Sequence, residues 1–403
     1  MAQFTFSNNT YAGEALAGFM ASTLLEADSV KRGLLTVIDD VKARKIILDI
    51  DDSVVLQNPS GTFNDQGTTA LQNETYLDPV VYEFMKQEQY DNLKNSWENS
   101  GIKPGSFADY DAPIDLADFM VQRYLDKIQI ANERLYWLGK NNVKECTFTA
   151  SFPGLLPSIA AASGTYKVSL AATPALAGVL TIATIDATGL VTLSAAQTVL
   201  ANGDVVTISA KTGSIVDNTY GSILNQSYFI NNVTSTTFKL QMNYNDIEQS
   251  NVVAAFTGTA SAGTISFINA SNVIPVMQSV YSQISYAVRV QKDFKLFVPL
   301  HVAIAYKQAQ ANKALNVINA YTSDKELEYL GQAMEPMNYW LGNTIMAARI
   351  SNLFLGVDLL GDKSELTTVY LKPFTGDDVV RMKARMKAAT CFKFANEIFY
   401  LTA

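Results

Sequence analysis

The side chains that most often perform chemistry are scarce in this chain. It has one histidine, His301, and two cysteines, Cys146 and Cys391, which stand far apart in the sequence. A structural zinc site is usually built from four Cys or His ligands, and these three residues cannot supply them. His301 lies in the apolar run 299–303 at the start of a predicted helix. We therefore expect a half-buried, hydrogen-bonded imidazole there, and not a catalytic base.

Phosphate-binding and calcium-binding patterns are missing as well. Neither G-x-x-x-x-G-K-[ST] nor G-x-G-x-x-G occurs, the glycine loops whose backbone N–H groups cradle phosphates. The acidic cluster Asp49, Asp51 and Asp52 lacks the glycine and the spaced oxygen ligands of a calcium loop. We therefore predict no catalytic, cofactor-binding or metal-ligating residues and no cofactor. The sequence indicates a non-enzymatic protein that acts through its surface and shape.

A row of cations near the end of the chain is the clearest candidate for binding. Basic residues occupy every second position there, at Arg381, Lys383, Arg385 and Lys387, with Met382, Ala384 and Met386 between them. A period of two is typical of a strand, and it places the cations on one face and the apolar residues on the other. This basic row could contact nucleic acid or the carboxylates of a neighbouring subunit. The alternative, a sheet face that is merely solvated, is equally open.

Length and composition set the class of protein. The chain has 403 residues, of which 48% are hydrophobic and 17% charged, so it predicts two or three folded domains and excludes disorder as the main state. Thirty basic against 38 acidic residues leave a net charge of −8. That balance argues against a protein that coats DNA through clustered Lys and Arg. We expect no membrane span and no secretory signal, since long apolar runs and a basic N-terminal stretch are missing.

The middle of the chain differs in composition from the rest. Residues 164–268 contain eight charged side chains among 105 residues, and no Arg, Trp, Cys or His. Short runs with period-two alternation, such as 204–209 and 237–240, are separated by Gly, Asn and Asp. This pattern is typical of a small antiparallel sandwich or barrel. We predict an all-β domain inserted into a surface loop of its host; the alternative is a continuous β-rich part of one large domain.

The sequence on either side of residues 164–268 predicts alternating helices and strands. A long helix is expected over 114–138, where apolar residues recur at spacings of three and four and Gly139 can provide a left-handed C-terminal cap. Its apolar stripe suits a helix laid across a sheet. After the insertion we expect a helix over 273–288, a buried strand over 294–299 and a second helix over 300–311.

An extended excursion precedes the long helix. Residues 45–50 and 53–56 favour strands, and an apolar return runs from 71 to 81. Between them lies a polar tip, in which we single out Asn58, Pro59, Gly61, Phe63 and Gly67. An extended segment of this length, with a polar and turn-rich middle, is unusual inside a compact domain. We expect an arm that lies on a neighbouring subunit, with a disordered surface loop as the alternative.

The order of these parts resembles the major capsid proteins of tailed phages of the Hong Kong 97 type. Three stretches carry the resemblance: 291–302 with its Phe-Val-Pro, 342–358 with Asn352, Gly356 and Asp358, and 381–399 as a final strand. Within that family, the sequence is similar in its features to the capsid proteins of crAss-like phages. The resemblance implies an α+β Hong Kong 97-like fold with an immunoglobulin-like insertion. Its parts would be an N-terminal arm (1–36), an extension loop (37–80), a peripheral domain (81–163) with a spine helix (114–138), the all-β insertion (164–268), an axial domain (269–375) and a return to the peripheral domain (376–403).

The resemblance also implies a function. The chain would self-assemble into the hexamers and pentamers of an icosahedral shell around double-stranded DNA, which it would contact weakly and non-specifically. It would be found in the virion, and in the host cytoplasm during assembly, with scaffolding, portal and decoration proteins as partners. The alternative from another class is a receptor- or glycan-binding tail component with 164–268 as its binding module. Such a protein would expose aromatic residues on that module and form trimers.

Overall fold

The chain forms two compact units. The structure is a computed structural model, and it describes residues 9–11, 24–25, 27–51, 71–89, 113–140, 143, 146, 148–169, 178–219, 221–224, 226–243, 254–312, 327–340, 342–358, 365–371, 377 and 379–402. The first unit joins residues 1–155 to 353–393, and the second joins 156–352 to 394–403. Helices and mostly antiparallel strands occur in both, as the α+β class predicts.

The strands are numbered in chain order. Before the middle segment they are β1 (Asn9–Tyr11), β2 (Thr36–Ile38), β3 (Lys45–Asp51), β4 (Leu71–Leu77), β5 (Val80–Gln89) and β6 (Tyr166–Ser169). The middle segment holds β7 (Val179–Ile185), β8 (Leu190–Leu193), β9 (Val205–Gly213), β10 (Val216–Asp217), β11 (Gly221–Ser222), β12 (Ser227–Asn231), β13 (Thr237–Asn243), β14 (Phe256–Thr257) and β15 (Ala260–Phe267). After it come β16 (Phe294–Pro299), β17 (Leu327–Tyr329), β18 (Gln332–Met337), β19 (Ile345–Arg349), β20 (Leu353–Val357), β21 (Glu365–Tyr370), β22 (Val379–Phe392) and β23 (Phe399–Thr402).

Six α-helices have their bounds within the described residues. They are α1 (Asp28–Lys31), α2 (Pro113–Leu138), α3 (Leu155–Ala161), α4 (Val273–Gln283), α5 (Tyr286–Arg289) and α6 (Leu300–Ala311). The long helix α2 matches the span predicted from its apolar stripe, with one more residue at its start. Gly139 follows it at φ +71°, the left-handed conformation expected of a glycine cap. A Cβ at Gly139 would lie 2.0 Å from the Pro153 carbonyl oxygen, so the close return of the chain also requires glycine.

The first unit is built around the long strand β22. It pairs antiparallel with β5 along one edge, and with β21 and then β20 along the other. Its inward face is apolar, and helix α2 packs across it. Tyr124 of α2 lies 5.6 Å from the Phe84 ring of β5, and the Tyr82 hydroxyl donates to Asn132 of α2 at 3.0 Å. The predicted arrangement, a helix laid across a sheet, is therefore found here.

Strands β3 and β4 form a separate two-stranded sheet. They pair antiparallel over their whole length, from Lys45 opposite Leu77 to Asp51 opposite Leu71. This hairpin is the part of the predicted arm that the structure describes. The predicted strand 53–56 and the tip residues lie outside the described residues; the tip residues are Asn58, Pro59, Gly61, Phe63 and Gly67.

The second unit contains a closed six-stranded barrel in the order β12-β13-β8-β7-β15-β9. It closes because β9 pairs with both β12 and β15, so no long edge remains. Buried side chains such as Ile208, Phe238 and Phe267 fill its interior. The all-β prediction agrees with this result, but the immunoglobulin-like prediction is corrected. An immunoglobulin domain has two sheets packed face to face, whereas these strands form one closed wall.

A mixed six-stranded sheet makes up the rest of the second unit, in the order β17-β18-β16-β19-β23-β6. Strand β16 and helix α6 have the bounds that the sequence predicts. The helix expected over 273–288 is instead two helices, because the backbone is extended at Ile284 and Ser285. Helices α4 and α6 and the buried residues of β16 share one apolar core.

Strand pairing determines where the chain passes between the two units. The chain enters the first unit again at 353, because β20 pairs with β22. Residues 394–403 belong to the second unit, because β23 pairs with β19 and β6. Strand β6 extends the mixed sheet, and the first barrel strand in the chain is β7, which begins at Val179.

Candidate assembly surface

The basic row lies on β22 in the alternation that the sequence predicts. Met382, Ala384 and Met386 are buried at 2% exposure or less, and the four cations occupy the other face. Residues of the neighbouring strand β5 lie on the same face as the cations. Arg381 pairs in register with Gln87 of β5 and Arg385 with Glu83.

Carboxylates of the same chain accompany most of the row. The Lys383 ammonium lies 3.5 Å and the Arg385 guanidinium 3.4 Å from the same Glu83 oxygen. Arg381, at the exposed end, donates to the Gln87 amide oxygen at 2.8 Å. Exposed ion pairs of this kind contribute about 0–1 kcal/mol each. An incoming phosphate or carboxylate can therefore replace them at small cost.

Lys387, at the other end of the row, has a different role. Its side chain is 12% exposed and lies 3.8 Å from Asp358, which is 3% exposed. It also donates to the backbone carbonyl of Lys42, in the segment that leads into β3. Burial raises the pKa of Asp358 above its usual value, and the charges of Lys387 and Lys42 oppose that rise. Lys387 thus fixes the base of the β3–β4 hairpin and does not point to a ligand.

Apolar packing strengthens that base. Leu77, at the end of β4, is fully buried with Val41, Ala389 and Cys391. It lies directly over Gly356 of β20, where an added Cβ would come within 2.1 Å of a Leu77 methyl group. The hairpin is therefore anchored at one end by the packing of Leu77 over Gly356 and by the largely buried ion pair of Lys387 with Asp358.

The hairpin beyond its base presents apolar side chains to solvent. Ile46, Leu48 and Tyr76 are 48%, 51% and 47% exposed, and Ile46 and Tyr76 are direct cross-strand partners. Ile47, on the opposite face, packs against the buried cluster at the base. An isolated two-stranded sheet is marginally stable in water, and a contiguous exposed apolar face marks an interaction site.

The arm also has an unusual charge distribution. Between positions 46 and 78 there are six acidic residues and no Lys, Arg or His. At the base, Lys42, Arg44 and Lys45 stand close in sequence to Asp39 and Asp40. Arg44 pairs with Asp78 at 2.7 Å and lies 5.3 Å over the Tyr76 ring. The anchored base therefore carries charges of both signs, whereas the stretch from 46 to 77 carries only negative ones.

The residues that form the anchor were not identified as a site from the sequence. Gly356 and Asp358 belong to the stretch 342–358 that carries the family resemblance, and this was the only signal for them. Their partners Leu77 and Lys387 are distant in sequence, so the juxtaposition appears only when β4, β20 and β22 come together.

His301 has the structural role that its surroundings predict. Its Nε2 lies 3.1 Å from the Asn343 side-chain oxygen, and burial lowers the pKa of the imidazole to about 4. Asn343 in turn donates to Thr207 and Ser266 of the barrel at 3.4 and 3.3 Å. These buried side chains form a polar joint between the barrel and the mixed sheet of the second unit.

Among the residues that the structure describes, no group of three or more His, Cys, Asp or Glu side chains could hold a metal ion. Cys391 is buried, and burial raises the pKa of its thiol to about 12. No helix in the same residues is long and apolar enough to cross a membrane.

Among the described residues of 164–268, the span assigned to a receptor-binding module, one aromatic side chain is exposed. Tyr166 is 50% exposed, but it lies on β6 of the mixed sheet and not on the barrel. The aromatic residues Tyr228, Phe238, Phe256 and Phe267 are buried in one apolar cluster. The other large apolar side chains of this span that are exposed are Leu190, Val216 and Leu224.

Comparisons with known proteins find similar structures but no related sequence. No protein-family model matches the chain, and no curated protein sequence matches it. The capsid of an empty GTA particle has a TM-score of 0.45 and 10% identity, over 99% of this chain and 94% of the other. The satellite phage P4 procapsid has a TM-score of 0.42 and 10% identity, over 96% and 98%. Gordonia phage Cozz has a TM-score of 0.45 and 9% identity, over 93% and 87%. These TM-scores lie below 0.5, so the similarities assign no function to the chain.

Proposed function

We propose that this chain is a phage major capsid protein that assembles into the hexamers and pentamers of an icosahedral shell enclosing double-stranded DNA. The observation that carries the proposal is the β3–β4 arm. Its base is anchored by Leu77, Gly356 and Lys387, while Ile46, Leu48 and Tyr76 beyond the base are exposed. A fixed base with an uncovered apolar face is the form of an arm that completes its packing on another molecule.

A second copy of the chain is the occupant that this geometry favours. The arm and the surface that receives it are different parts of one chain, so each contact is heterologous. Heterologous contacts close into rings when the rotation between subunits permits, and otherwise form open filaments. Five- and sixfold rings satisfy this requirement. Repetition of modest contacts around a ring raises the effective concentration of each one, so the assembly is stable although a single contact is weak.

The basic row is proposed to meet either packaged DNA or a neighbour's carboxylates. Arg381 is exposed and bound to an amide, so it is the cation of the row most available to such a partner. The acidic net charge of the chain limits its affinity for DNA. Contact with DNA should therefore be weak and steeply dependent on salt, because each phosphate contact releases bound counterions.

The finer assignments follow the family resemblance. Residues 37–80 would be the extension loop, with its tip from Asn58 to Gly67, and helix α2 would be the spine of the peripheral domain. The fold would be of the Hong Kong 97 type, in the style of crAss-like phages. Scaffolding, portal and decoration proteins would be partners, and the protein would reside in the virion after assembly in the host cytoplasm.

Electron microscopy of the purified protein tests the proposal. Negative stain of the chain, alone and with a candidate scaffolding protein, should show five- and sixfold rings or closed shells. Leu48→Ser should abolish them, because it removes an exposed apolar side chain from the arm. Leu190→Ser is the matched control, since Leu190 is 39% exposed on the barrel, and it should leave the particles intact. Trimers, or rings that form equally well with Leu48→Ser, would contradict the proposal.

A further inference from the structure

A buried carboxylate joins the beginning of the described chain to the long helix. Glu133 of α2 is 3% exposed, and no part of the proposed assembly surface uses it. One of its oxygens accepts hydrogen bonds from the backbone N–H of Ser29 at 3.1 Å and from the Ser29 hydroxyl at 2.7 Å. The other accepts from the Trp137 indole N–H at 2.9 Å. Three donors therefore converge on one carboxylate inside the first unit.

The segment that these bonds hold is residues 27–35, which contains α1. Ala27, Ser29, Leu34 and Leu35 are all buried. Apolar packing therefore supplies most of the attachment, and the polar bonds at Ser29 add a contribution that depends on the charge of Glu133. The same segment leads directly into β2 and then to the base of the arm.

The geometry accommodates both protonation states of Glu133. When the carboxyl is ionised, it accepts all three hydrogen bonds. When it is protonated, its O–H can donate to the Ser29 oxygen, because a hydroxyl both donates and accepts. The Trp137 N–H also lies 3.1 Å from that oxygen. The contacts of Glu133 with Ser29 and Trp137 can thus persist on protonation, while the buried charge is removed.

Among the described residues, no cation forms an ion pair with Glu133. Asp28 on α1 adds a second negative charge, and it is itself paired with Arg32 at 3.2 Å. Arg134 is the next residue of α2 and is buried. Tyr136 and Tyr82 are neutral, because burial raises the pKa of both hydroxyls. Burial raises the pKa of Glu133 to about 7 from an ordinary 4.5, although the bonds from Ser29 and Trp137 favour its charged form.

We propose that Glu133 is a proton-linked latch that holds residues 27–35 on helix α2 more tightly when it is protonated. A carboxyl whose pKa is higher in the closed state than in the open state binds more protons when closed. Attachment is therefore strongest below the ordinary pKa of 4.5, and it weakens as the pH rises through about 7. The latch is independent of the proposed capsid function, since it acts within one chain.

Hydrogen–deuterium exchange of the full-length chain at pH 6 and pH 8, corrected for intrinsic exchange rates, tests this latch. With pKa values of about 7 closed and 4.5 open, the closing equilibrium should be about tenfold weaker at pH 8 than at pH 6. Protection of amides in 28–35 should fall by that factor. Glu133→Gln should remove the dependence on pH, whereas Asp28→Asn, which removes a neighbouring acid, should keep it. Equal protection at both pH values in the natural chain, or an unchanged slope in Glu133→Gln, would overturn the latch.

A second variant keeps the test decisive if Glu133→Gln fails to fold. Ser29→Ala removes the hydroxyl that bonds to the carboxylate at 2.7 Å. Because that bond favours the charged form, its loss should move the midpoint of the protection profile to higher pH. A midpoint that stays in place would show that Glu133 is not the group that titrates.

Discussion

The barrel and the arm are both made of antiparallel strands, but the barrel is a closed sheet and the arm is an isolated two-stranded one. The barrel closes on itself, so its six strands pair with one another, and the aromatic side chains Phe238 and Phe267 are buried inside it. The arm has two strands, one anchored end, and an apolar face that the described chain leaves in solvent. A closed sheet satisfies its own strand edges, whereas an isolated two-stranded hairpin is marginally stable in water. The barrel therefore buries its own apolar side chains, and the proposed function assigns the exposed ones of the arm to contact with a second copy.

The largest effect is expected in the barrel core. Phe238 is fully buried between the walls of the barrel, so Phe238→Ala should reduce the free energy of unfolding by about 3–5 kcal/mol. Chemical denaturation of the full chain, followed by fluorescence and by proteolysis, measures this loss. Hydrogen exchange at the arm base, residues 74–77, should stay unchanged at low denaturant. An equal rise in hydrogen exchange in the barrel and at the arm base would contradict the claim that the two regions are stabilised independently.

The next largest effect is expected where Leu77 packs over Gly356 at the base of the arm. Gly356→Ala should destabilise the first unit by about 1–3 kcal/mol, because the new methyl group overlaps Leu77. Leu77→Ala should cost about 2–5 kcal/mol as a cavity. The double variant should cost less than the sum, since the methyl group added at position 356 enters the space that Leu77 leaves. Strictly additive losses in a denaturation series would mean that the two residues do not share that space.

A smaller difference should separate the two ends of the basic row. Lys387→Met should cost about 1–3 kcal/mol near neutral pH, because it leaves the buried Asp358 carboxylate without the ammonium group of Lys387. The loss should shrink in acid, where Asp358 becomes protonated. Arg381→Gln at the exposed end should change stability by less than about 0.5 kcal/mol. Thermal denaturation of the two variants under the same conditions measures this difference. Equal losses of stability would mean that Lys387 contributes no more to the fold than Arg381 does.

Local patterns in the sequence predicted the elements of this fold well. The apolar period of 3.6 in α2, the buried run of β16 and the two-residue alternation of β22 each appear in the structure where they were expected. In each case the pattern lies within one element, so neighbouring residues determine it. The alternation also predicted which face of β22 holds the cations.

Features that depend on distant pairing could not be predicted in the same way. Closure of the barrel depends on β9 pairing with both β12 and β15, and the period-two pattern is the same in a barrel and in a sandwich. The role of Lys387 depends on Asp358 and Lys42, which come from other strands and loops. The latch at Glu133 joins two helices that are widely separated in sequence.

Photo-crosslinking from position 48 tests whether the arm completes its packing on a second copy of the chain. A benzophenone amino acid in place of Leu48 should join two chains on irradiation of assembled protein, and mass spectrometry should identify the partner peptide. A second sample, mixing isotopically light and heavy chains, distinguishes links between chains from links within one. Links between light and heavy chains are expected in particles with five- and sixfold rings. Crosslinks confined to single chains, in particles that are nevertheless assembled, would mean that the arm does not pack on a second copy.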